Sequence, residues 1–213
     1  MRRGNESAAS GDLSGALLEL SDGLNITAHL AVGGGPSGRQ RRTSSAAAAA
    51  LTFAEAGAFG LGVCGHDDEG RPRWPCGWTG CISHSRGLVI AAVAPLAIHQ
   101  MVGIDLEVAA VLDLEDAEFV LDQDELRFAS LEPGRLPTLL WSAKESAFKA
   151  WSAAKGIQGV DPRTIHIEAR SDGLRAELIG HTVPPLVGGW REAGGMLVTA
   201  LVDPSPPSIP PLS

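Results

Sequence analysis

The clearest periodic pattern in the chain lies between residues 138 and 155, where bulky apolar side chains recur at helical spacing. These side chains are Leu140, Trp141, Phe148 and Trp151. The spacing predicts an amphipathic helix, and Gly156 directly after it suits the left-handed residue that often ends a helix. An alanine-rich segment from about residue 39 to Ala58 predicts a second long helix, because alanine is the best helix former.

Short apolar runs predict strands around these helices. They cover residues 88–94, 102–107, 163–169, 174–179 and 196–202, with a weaker candidate at 24–32. Residues 62–85 contain seven glycines and prolines and are interpreted as a loop. Each half of the chain then has one long helix followed by strands, so we expect an α+β fold with two similar lobes.

The domain boundaries follow from these elements and from composition. We expect a divergent N-terminal segment over residues 1–38, an N-terminal lobe over 39–101 and a C-terminal lobe over 102–202. Residues 203–213 are rich in proline and are expected to form an extended tail.

Composition narrows the class of protein. The chain has 213 residues, of which 44% are hydrophobic and 20% charged, as in globular proteins with a substantial core. Its 17 basic and 25 acidic side chains give a net charge of −8, which argues against a nucleic-acid partner. Three cysteines without a CxxC pair argue against a disulfide scaffold and favour a reducing compartment.

No segment predicts membrane insertion or export. The N-terminal stretch has two arginines but no apolar run behind them, unlike a secretory signal. The longest apolar run, residues 88–98, is interrupted by Pro95 and is much shorter than the roughly 20 residues that cross a bilayer. We therefore expect a cytoplasmic protein without a membrane partner.

Acidic residues form the strongest candidate site. Asp105 and Glu107 alternate on a predicted strand, so both side chains point to one face. Glu145 lies on the long helix, with Lys149 one turn further along the same face. Three carboxylates suit Mg²⁺, which prefers oxygen ligands and often takes a bound phosphate. The alternative is an ordinary surface ion pair between Glu145 and Lys149.

Two other groups of residues allow more than one interpretation. Ser83 and His84 precede a predicted strand, where a histidine suits phosphate binding, acid–base chemistry or a structural role. A Ser–His–Asp hydrolase is excluded, because adjacent side chains point apart and no GxSxG motif exists. Five potential zinc ligands lie within 21 residues but lack the paired spacing of structural zinc sites. They are Cys64, His66, Cys76, Cys81 and His84.

Three motifs together resemble the 4′-phosphopantetheinyl transferases of the Sfp/EntD type. They are VGIDLE at 102–107, WSAKESAFKAW at 141–151 and GRPRWPCGWTGCISHS at 70–85. The resemblance covers roughly residues 40–170. It implies two pseudo-symmetric lobes, each a small antiparallel sheet packed on a long helix, with coenzyme A in the cleft between them. The implied reaction transfers phosphopantetheine from coenzyme A to a serine of an apo acyl or peptidyl carrier protein and releases 3′,5′-ADP.

The resemblance also implies a role for each motif residue. Asp105, Glu107 and Glu145 would hold Mg²⁺ or Mn²⁺, and Glu145 is the candidate general base for the carrier serine. Lys149 would contact the pyrophosphate and stabilise the leaving group. Together with Asp105, Glu145 and Lys149, the implied coenzyme A contacts are Arg41, Gly70, Arg71, Pro72, Ser83 and His84.

The chain departs from the family pattern in its basic residues. Relatives often carry a later arginine on the first long helix, near the position of Ala49, and often a lysine at the position of Glu69. Arg71 and Arg73 are candidate substitutes. The alternative function is therefore a non-catalytic member of the family that binds coenzyme A or a carrier.

The expected partner is a carrier domain, which is commonly acidic, and the two-lobe length favours a monomer over the half-size trimeric type. Because the chain itself is acidic, docking needs a local basic or apolar patch. An apolar group on residues 119–131 could supply it, although we expect these side chains to belong to the lobe core. They are Phe119, Leu126, Phe128 and Leu131.

Overall fold

Two antiparallel sheets organise the chain, and each is accompanied by a long helix. The computed structural model describes residues 3–32, 38–110, 112, 114–131, 134–170 and 173–204. The first part contains α1 (Arg3–Leu24), β1 (Thr27–Val32), α2 (Gly38–Glu55), β2 (Trp78–Ser85) and β3 (Leu88–Pro95). The second contains β4 (Val102–Val108), α3 (Leu114–Ala117), α4 (Gln123–Leu131), α5 (Leu136–Lys155), β5 (Ile165–Arg170), β6 (Gly173–Leu178), β7 (Leu186–Ala193) and β8 (Met196–Val202).

The sheet topology confirms the expected α+β class. The first sheet has the strand order β1-β3-β2 and the second β4-β8-β7-β6-β5, with every neighbouring pair antiparallel. Helix α2 packs on β1 and β3, and helix α5 packs on β4 and β8. Each lobe is thus a small antiparallel sheet on one long helix.

Helix α5 ends as the sequence predicts and lies unusually close to β4. Gly156 adopts a left-handed φ of 66°, and its amide donates to the Ser152 carbonyl oxygen at 3.0 Å. On β4, a Cβ atom at Gly103 would overlap the carbonyl oxygen of Ser146. Only glycine therefore allows β4 to approach α5 this closely, and this contact lies beside Asp105 and Glu145.

Strands β2 and β7 were not predicted from the sequence, because their glycines interrupt the apolar pattern. The loop interpretation of residues 62–85 is wrong from Trp78 onward, where β2 begins. Gly80 lies in this strand. A Cβ atom there would collide with the Ala92 carbonyl oxygen and the Trp74 indole ring, so the position requires glycine. Strand β7 contains Gly188 and Gly189 and likewise lacked an apolar alternation. Ser83 and His84 consequently lie within β2 rather than before a strand.

The segment before residue 39 contributes to both sheets. Strand β1 pairs with β3, and helix α1 packs against β1, β7 and β8. The helix buries Leu13, Leu17 and Leu20, which leave 1–4% of their surface exposed. The glycine-rich stretch at 33–37 and the proline-rich tail from residue 205 lie outside the described residues.

The helices give no sign of membrane insertion. Within the described ranges, none combines the length and the apolar composition that crossing a bilayer requires.

Candidate active site

A buried carboxylate lies where the two sheets meet. Strands β2 and β4 are neighbours across the lobes, and Asp105 on β4 leaves only 3% of its surface exposed. Its Oδ1 atom accepts hydrogen bonds from the Ser83 hydroxyl at 2.9 Å and from the Lys149 ammonium at 2.5 Å. Its Oδ2 atom accepts from the Ser142 hydroxyl at 2.9 Å. One side chain from β2 and two from α5 therefore hold Asp105 in place.

A cluster of three hydroxyl side chains from α5 and β8 lies next to Asp105. The Ser142 and Ser146 hydroxyls lie 2.9 and 2.7 Å from the Thr199 hydroxyl of β8, and all three residues are fully buried. These residues were not predicted from the sequence, because serine and threonine alone carry little positional information. The signal that could have found them was the spacing of Ser142 and Ser146, which places two polar groups one turn apart on an otherwise apolar helix face.

Lys149 is the cation of the site. Its ammonium also donates to the Ser83 hydroxyl at 3.1 Å, so it joins α5 to both lobes. Burial acts to lower the pKa of Lys149, but Asp105, Cys81 and Glu145 together outweigh it and the net shift is upward. Lys149 is therefore charged at neutral pH, and its ammonium is bound by Asp105, Ser83 and the Ile104 carbonyl oxygen.

The charged forms of the Glu145 and Glu107 carboxylates are disfavoured, because the pKa of each is raised. Burial raises the pKa of Glu145; the charge of Lys149 opposes this and that of Asp105 adds to it. Burial also raises the pKa of Glu107, and the charges of Asp105 and Glu145 contribute, against Lys149 and a hydrogen bond from the Trp141 side chain. The three carboxylates thus create a negative potential that one lysine does not neutralise. Among the described residues, the ligand atoms of these three carboxylates are not gathered within 4.8 Å of one another, but all three are the oxygen donors that a divalent cation prefers.

A second acidic cluster lies elsewhere in the C-terminal lobe. Among the described residues, the group of three metal-type ligands whose atoms all lie within 4.8 Å is Asp122, Glu125 and His166. Glu125 already forms an ion pair with the Lys144 ammonium at 2.6 Å, so a cation is present there. No cysteine belongs to this group, and the described part of the chain gives the zinc alternative no gathered site. Cys64, Cys76 and Cys81 are free thiols.

The remaining candidate residues lie on β2, in the loop before it and at the start of α2. The His84 ring nitrogen Nε2 lies 2.7 Å from the Ser45 hydroxyl of α2, whereas Ser83 contacts Asp105, so the two side chains point apart as expected. Gly70 adopts a left-handed φ of 80° in a tight turn that presents Arg71 and Pro72. The backbone of Arg41 lies in α2, but its side chain is outside the described part.

Arg71 is largely neutralised by acidic neighbours. Its guanidinium donates to Asp67 at 2.6 Å, to Glu69 at 2.9 Å and to the Ser152 carbonyl oxygen at 3.0 Å. The hydrogen bond with Asp67 raises the pKa of Arg71, and the charges of Asp67 and Glu69 add to it, against a lowering by burial. Glu69 stands where the resembled sequences often carry a lysine. It thus pairs with Arg71, which is the candidate substitute for that lysine.

A cavity of about 720 Å³ opens beside this loop. Its lining includes Arg71, Arg73, Trp74, Trp78 and Lys155. A smaller cavity of about 160 Å³ shares Arg71 and Trp74 with it and reaches Lys149. The Trp74 indole nitrogen is the one buried side-chain donor that lacks a partner among the described residues. The two cavities thus adjoin each other at Arg71 and Trp74, and the smaller one reaches the lysine of the acidic site.

Two phenylalanines near α3 and α4 are exposed rather than buried. Phe119 leaves 76% of its surface exposed and Phe128 leaves 56%. Leu126 packs partly buried against the C-terminal core, and the side chain of Leu131 lies outside the described part. The expectation of lobe core is therefore wrong for the two phenylalanines, which are two exposed apolar side chains on one segment.

A two-lobed α+β fold with an acid-rich site between its lobes matches the architecture that the sequence motifs imply. The family model for the 4′-phosphopantetheinyl transferase superfamily matches residues 101–185. The model for the 4′-phosphopantetheinyl transferase N-terminal domain matches residues 39–94. The chain belongs to the 4′-phosphopantetheinyl transferase superfamily.

Curated relatives agree with this assignment. The chain is 31% identical over 154 residues to 4′-phosphopantetheinyl transferase Svp of Streptomyces mobaraensis, covering 65% of this chain and 61% of Svp. It is 31% identical over 154 residues to 4′-phosphopantetheinyl transferase PptT of Mycobacterium tuberculosis, covering 63% and 66%. It is 30% identical over 129 residues to enterobactin synthase component D of Salmonella austin, covering 59% and 54%. The chain thus spans less than two thirds of each of these relatives.

Proposed function

We propose that the protein is a 4′-phosphopantetheinyl transferase that uses coenzyme A as donor and a serine of an apo acyl or peptidyl carrier protein as acceptor. The observation that carries the proposal is the acidic site itself. Asp105, Glu145 and Lys149 come from β4 and α5 and converge between the lobes of a member of this family. A hydrolase or a surface ion pair does not account for three mutually repelling carboxylates around one partly buried lysine.

In the proposed reaction, the carrier serine oxygen bonds to the phosphorus nearer pantetheine, and the bond from that phosphorus to the 3′,5′-ADP oxygen breaks. Glu145 accepts the serine proton. Its raised pKa suits this role, because a general base is most effective when its pKa approaches the working pH. Lys149 stabilises the negative charge that develops on the 3′,5′-ADP leaving group.

Asp105, Glu107 and Glu145 would hold Mg²⁺ or Mn²⁺. Bound there, a divalent cation would neutralise the pyrophosphate and polarise the bond that breaks. The chain's own contribution is to keep Asp105 rigid through Ser83 and Ser142, so that its carboxylate needs little reorganisation on binding.

Coenzyme A fits the paired cavities beside the loop. Arg73 and Lys155 line the larger cavity and can approach phosphate groups, while Trp74 offers an unused donor and an aromatic surface. Gly70, Arg71 and Pro72 would lie against the adenosine end. Ser83, His84 and Arg41 would contact phosphate groups.

The carrier is proposed to dock on the exposed apolar side chains of Phe119 and Phe128. These side chains lie on the segment between β4 and α5, which are the two elements that carry the acidic site. We further propose that the protein acts as a monomer in the cytoplasm.

Intact-mass analysis of an apo carrier incubated with coenzyme A, Mg²⁺ and the protein tests the proposal. We expect a phosphopantetheine adduct with the wild type and its loss with Glu145→Ala. Glu19→Ala is the matched control, because Glu19 is an exposed glutamate on α1 whose contact with Arg191 is long, at 3.4 Å. It is expected to retain the adduct.

One observation favours the non-catalytic alternative, namely the neutralisation of Arg71 by Asp67 and Glu69. If coenzyme A raises the melting temperature but no adduct forms on several unrelated carriers, the protein binds coenzyme A without transferring its phosphopantetheine. That result would replace the proposed activity with the alternative.

A further inference from the structure

A buried ion pair lies one residue before the candidate general base. Lys144 precedes Glu145 on α5, so its side chain leaves the helix about 100° around the axis and points toward α4. Its ammonium donates to Glu125 at 2.6 Å and to the Pro162 carbonyl oxygen at 3.0 Å. The side chains of Lys144 and Glu125 are 1% and 4% exposed. Lys144 and Glu145 line a small cavity of about 100 Å³, but Lys144 lines neither of the two cavities beside the loop.

Glu125 connects this lysine to two further elements. Its Oε2 atom accepts from the Asp122 amide at 2.9 Å, and the Asp122 carboxylate accepts from the Glu125 amide at 2.8 Å. This reciprocal arrangement is a capping box at the start of α4. The Oε1 atom of Glu125 accepts from the Ile167 amide of β5 at 3.2 Å. One carboxylate thus joins α4 to α5 and to β5.

The same contacts argue against a metal site at the cluster of Asp122, Glu125 and His166. Here two carboxylates, Asp122 and Glu125, face the buried Lys144 ammonium, whereas at the acidic site three carboxylates share one lysine, so less negative charge is left for a metal ion. The cluster instead anchors α4, which bears the exposed Phe128, to the helix that bears Glu145.

We propose that Lys144 is a positioning residue for the carrier protein. Through Glu125 it holds residues 117–128, with Phe119 and Phe128, at a fixed place relative to Glu145, so that a docked carrier presents its serine to that carboxylate. This role rests on the proposed transferase function. It assigns Lys144 to carrier recognition and excludes it from coenzyme A binding.

Steady-state kinetics of Lys144→Met tests this role by varying carrier and coenzyme A separately. We expect the KM for the carrier to rise about tenfold, because about 1.4 kcal/mol of docking free energy is lost when the segment is no longer held. The KM for coenzyme A is expected to stay within about twofold of the wild type, since Lys144 lines neither of the two cavities beside the loop and its ammonium is bound by Glu125 and Pro162. Lys144→Arg, which keeps the charge, is expected to restore much of the carrier KM.

Arg175→Met is the matched control, because it removes a cation from a more exposed ion pair with Glu177 on β6 and leaves the docking segment intact. It is expected to change neither KM. Should Lys144→Met fail to fold, the double variant Lys144→Met with Glu125→Gln removes both buried charges and is measured instead. Equal increases in both KM values, or a fall in kcat alone, would overturn the inference. Absence of transfer by the wild type would instead reject the proposed function.

Discussion

Asp105 and Glu145 have opposite electrostatic situations within one site. Asp105 receives a lysine ammonium and two hydroxyl groups, whereas Glu145 is partly buried and its pKa is raised. Asp105 is held in one position by its donors, whereas the raised pKa of Glu145 suits that residue to exchange a proton. This division between two carboxylates is a direct consequence of which donors α5 and β2 place beside each of them.

The raised pKa of Glu145 predicts a pH-dependent effect on stability. The folded protein binds this proton more tightly than the unfolded chain, so the stability from this group is complete below a pH of about 4.5 and is lost as pH rises through the raised pKa. Glu145→Gln is therefore expected to melt about 2 °C above the wild type at neutral pH with a chelator present. The difference should shrink toward pH 4.5. A variant that melts below the wild type at neutral pH would contradict the prediction.

Metal binding is testable without any assay of transfer. A divalent cation at ten times its Kd stabilises the folded state by about 1.4 kcal/mol, which corresponds to a rise of about 3 °C in the melting temperature. We expect Mg²⁺ to produce this rise in the wild type and a chelator to reverse it. Glu145→Gln and Glu107→Gln should show little rise, while the surface variant Glu19→Ala should respond like the wild type. An equal response in all four proteins would exclude these carboxylates as ligands.

At the scale of elements, the separation between β4 and α5 depends on one glycine. Gly103→Ala would place a Cβ atom against the Ser146 carbonyl oxygen, and a backbone atom cannot move aside as a flexible side chain can. We expect a loss of about 3 kcal/mol in the free energy of unfolding, together with slower transfer because Asp105 and Glu145 move apart. Chemical denaturation and the mass assay measure the two effects.

Gly15→Ala is the control for that substitution. Gly15 lies in α1, and a Cβ atom added there would meet nothing within 4 Å, so alanine is expected to stabilise the helix by about 0.5–1 kcal/mol. Substitution of glycine by alanine should thus lower the free energy of unfolding at residue 103 and raise it at residue 15. Similar effects at both would show that the close approach of β4 and α5 does not restrict residue 103.

The elements that the sequence predicted are those with uninterrupted periodicity. Helix α5 and strands β3, β4 and β8 carry regular apolar positions, and their predicted bounds agree with the structure to within about two residues. Strands β2 and β7 were missed because Gly80 and Gly188 meet tertiary demands. A Cβ at either glycine would strike a carbonyl oxygen of the neighbouring strand, which no local pattern reveals.

The candidate site shows the same limit at finer detail. The acidic residues were found because two motifs carry them at recognisable spacing. The contact between Ser83 and Asp105, and the pairing of Lys144 with Glu125, join residues that lie 22 and 19 positions apart on separate elements. Such partners depend on how the elements pack, and the sequence alone does not specify that packing.

At the scale of the whole molecule, net charge predicts how docking responds to salt. The chain carries a net charge of −8, and the proposed docking segment is itself acidic. Its exposed acids are Glu118 and Asp124, and the exposed Glu115 and Asp116 directly precede it. With an acidic carrier, we expect the carrier KM to fall about twofold when NaCl rises from about 10 to about 150 mM, because the screening length drops from about 30 to about 8 Å.

Saturating coenzyme A separates this effect from any weakening of phosphate binding. A basic carrier domain is the informative comparison, since its KM should rise with salt. If the acidic carrier binds more weakly as salt increases, a basic surface elsewhere on the protein must guide docking, and the two phenylalanines would not be the main contact.

The packing of α1 has a consequence for biosynthesis. This helix leaves the ribosome long before β7 and β8, yet Leu13, Leu17 and Leu20 are buried in one cluster with Ala193, Met196 and Val198. Although β1 covers part of α1 early, the part of its apolar face that packs on β7 and β8 stays exposed until these last strands have been synthesised. Such distant contacts slow folding and leave aggregation-prone surface open. The nascent chain is thus expected to depend on holding chaperones until β8 has emerged.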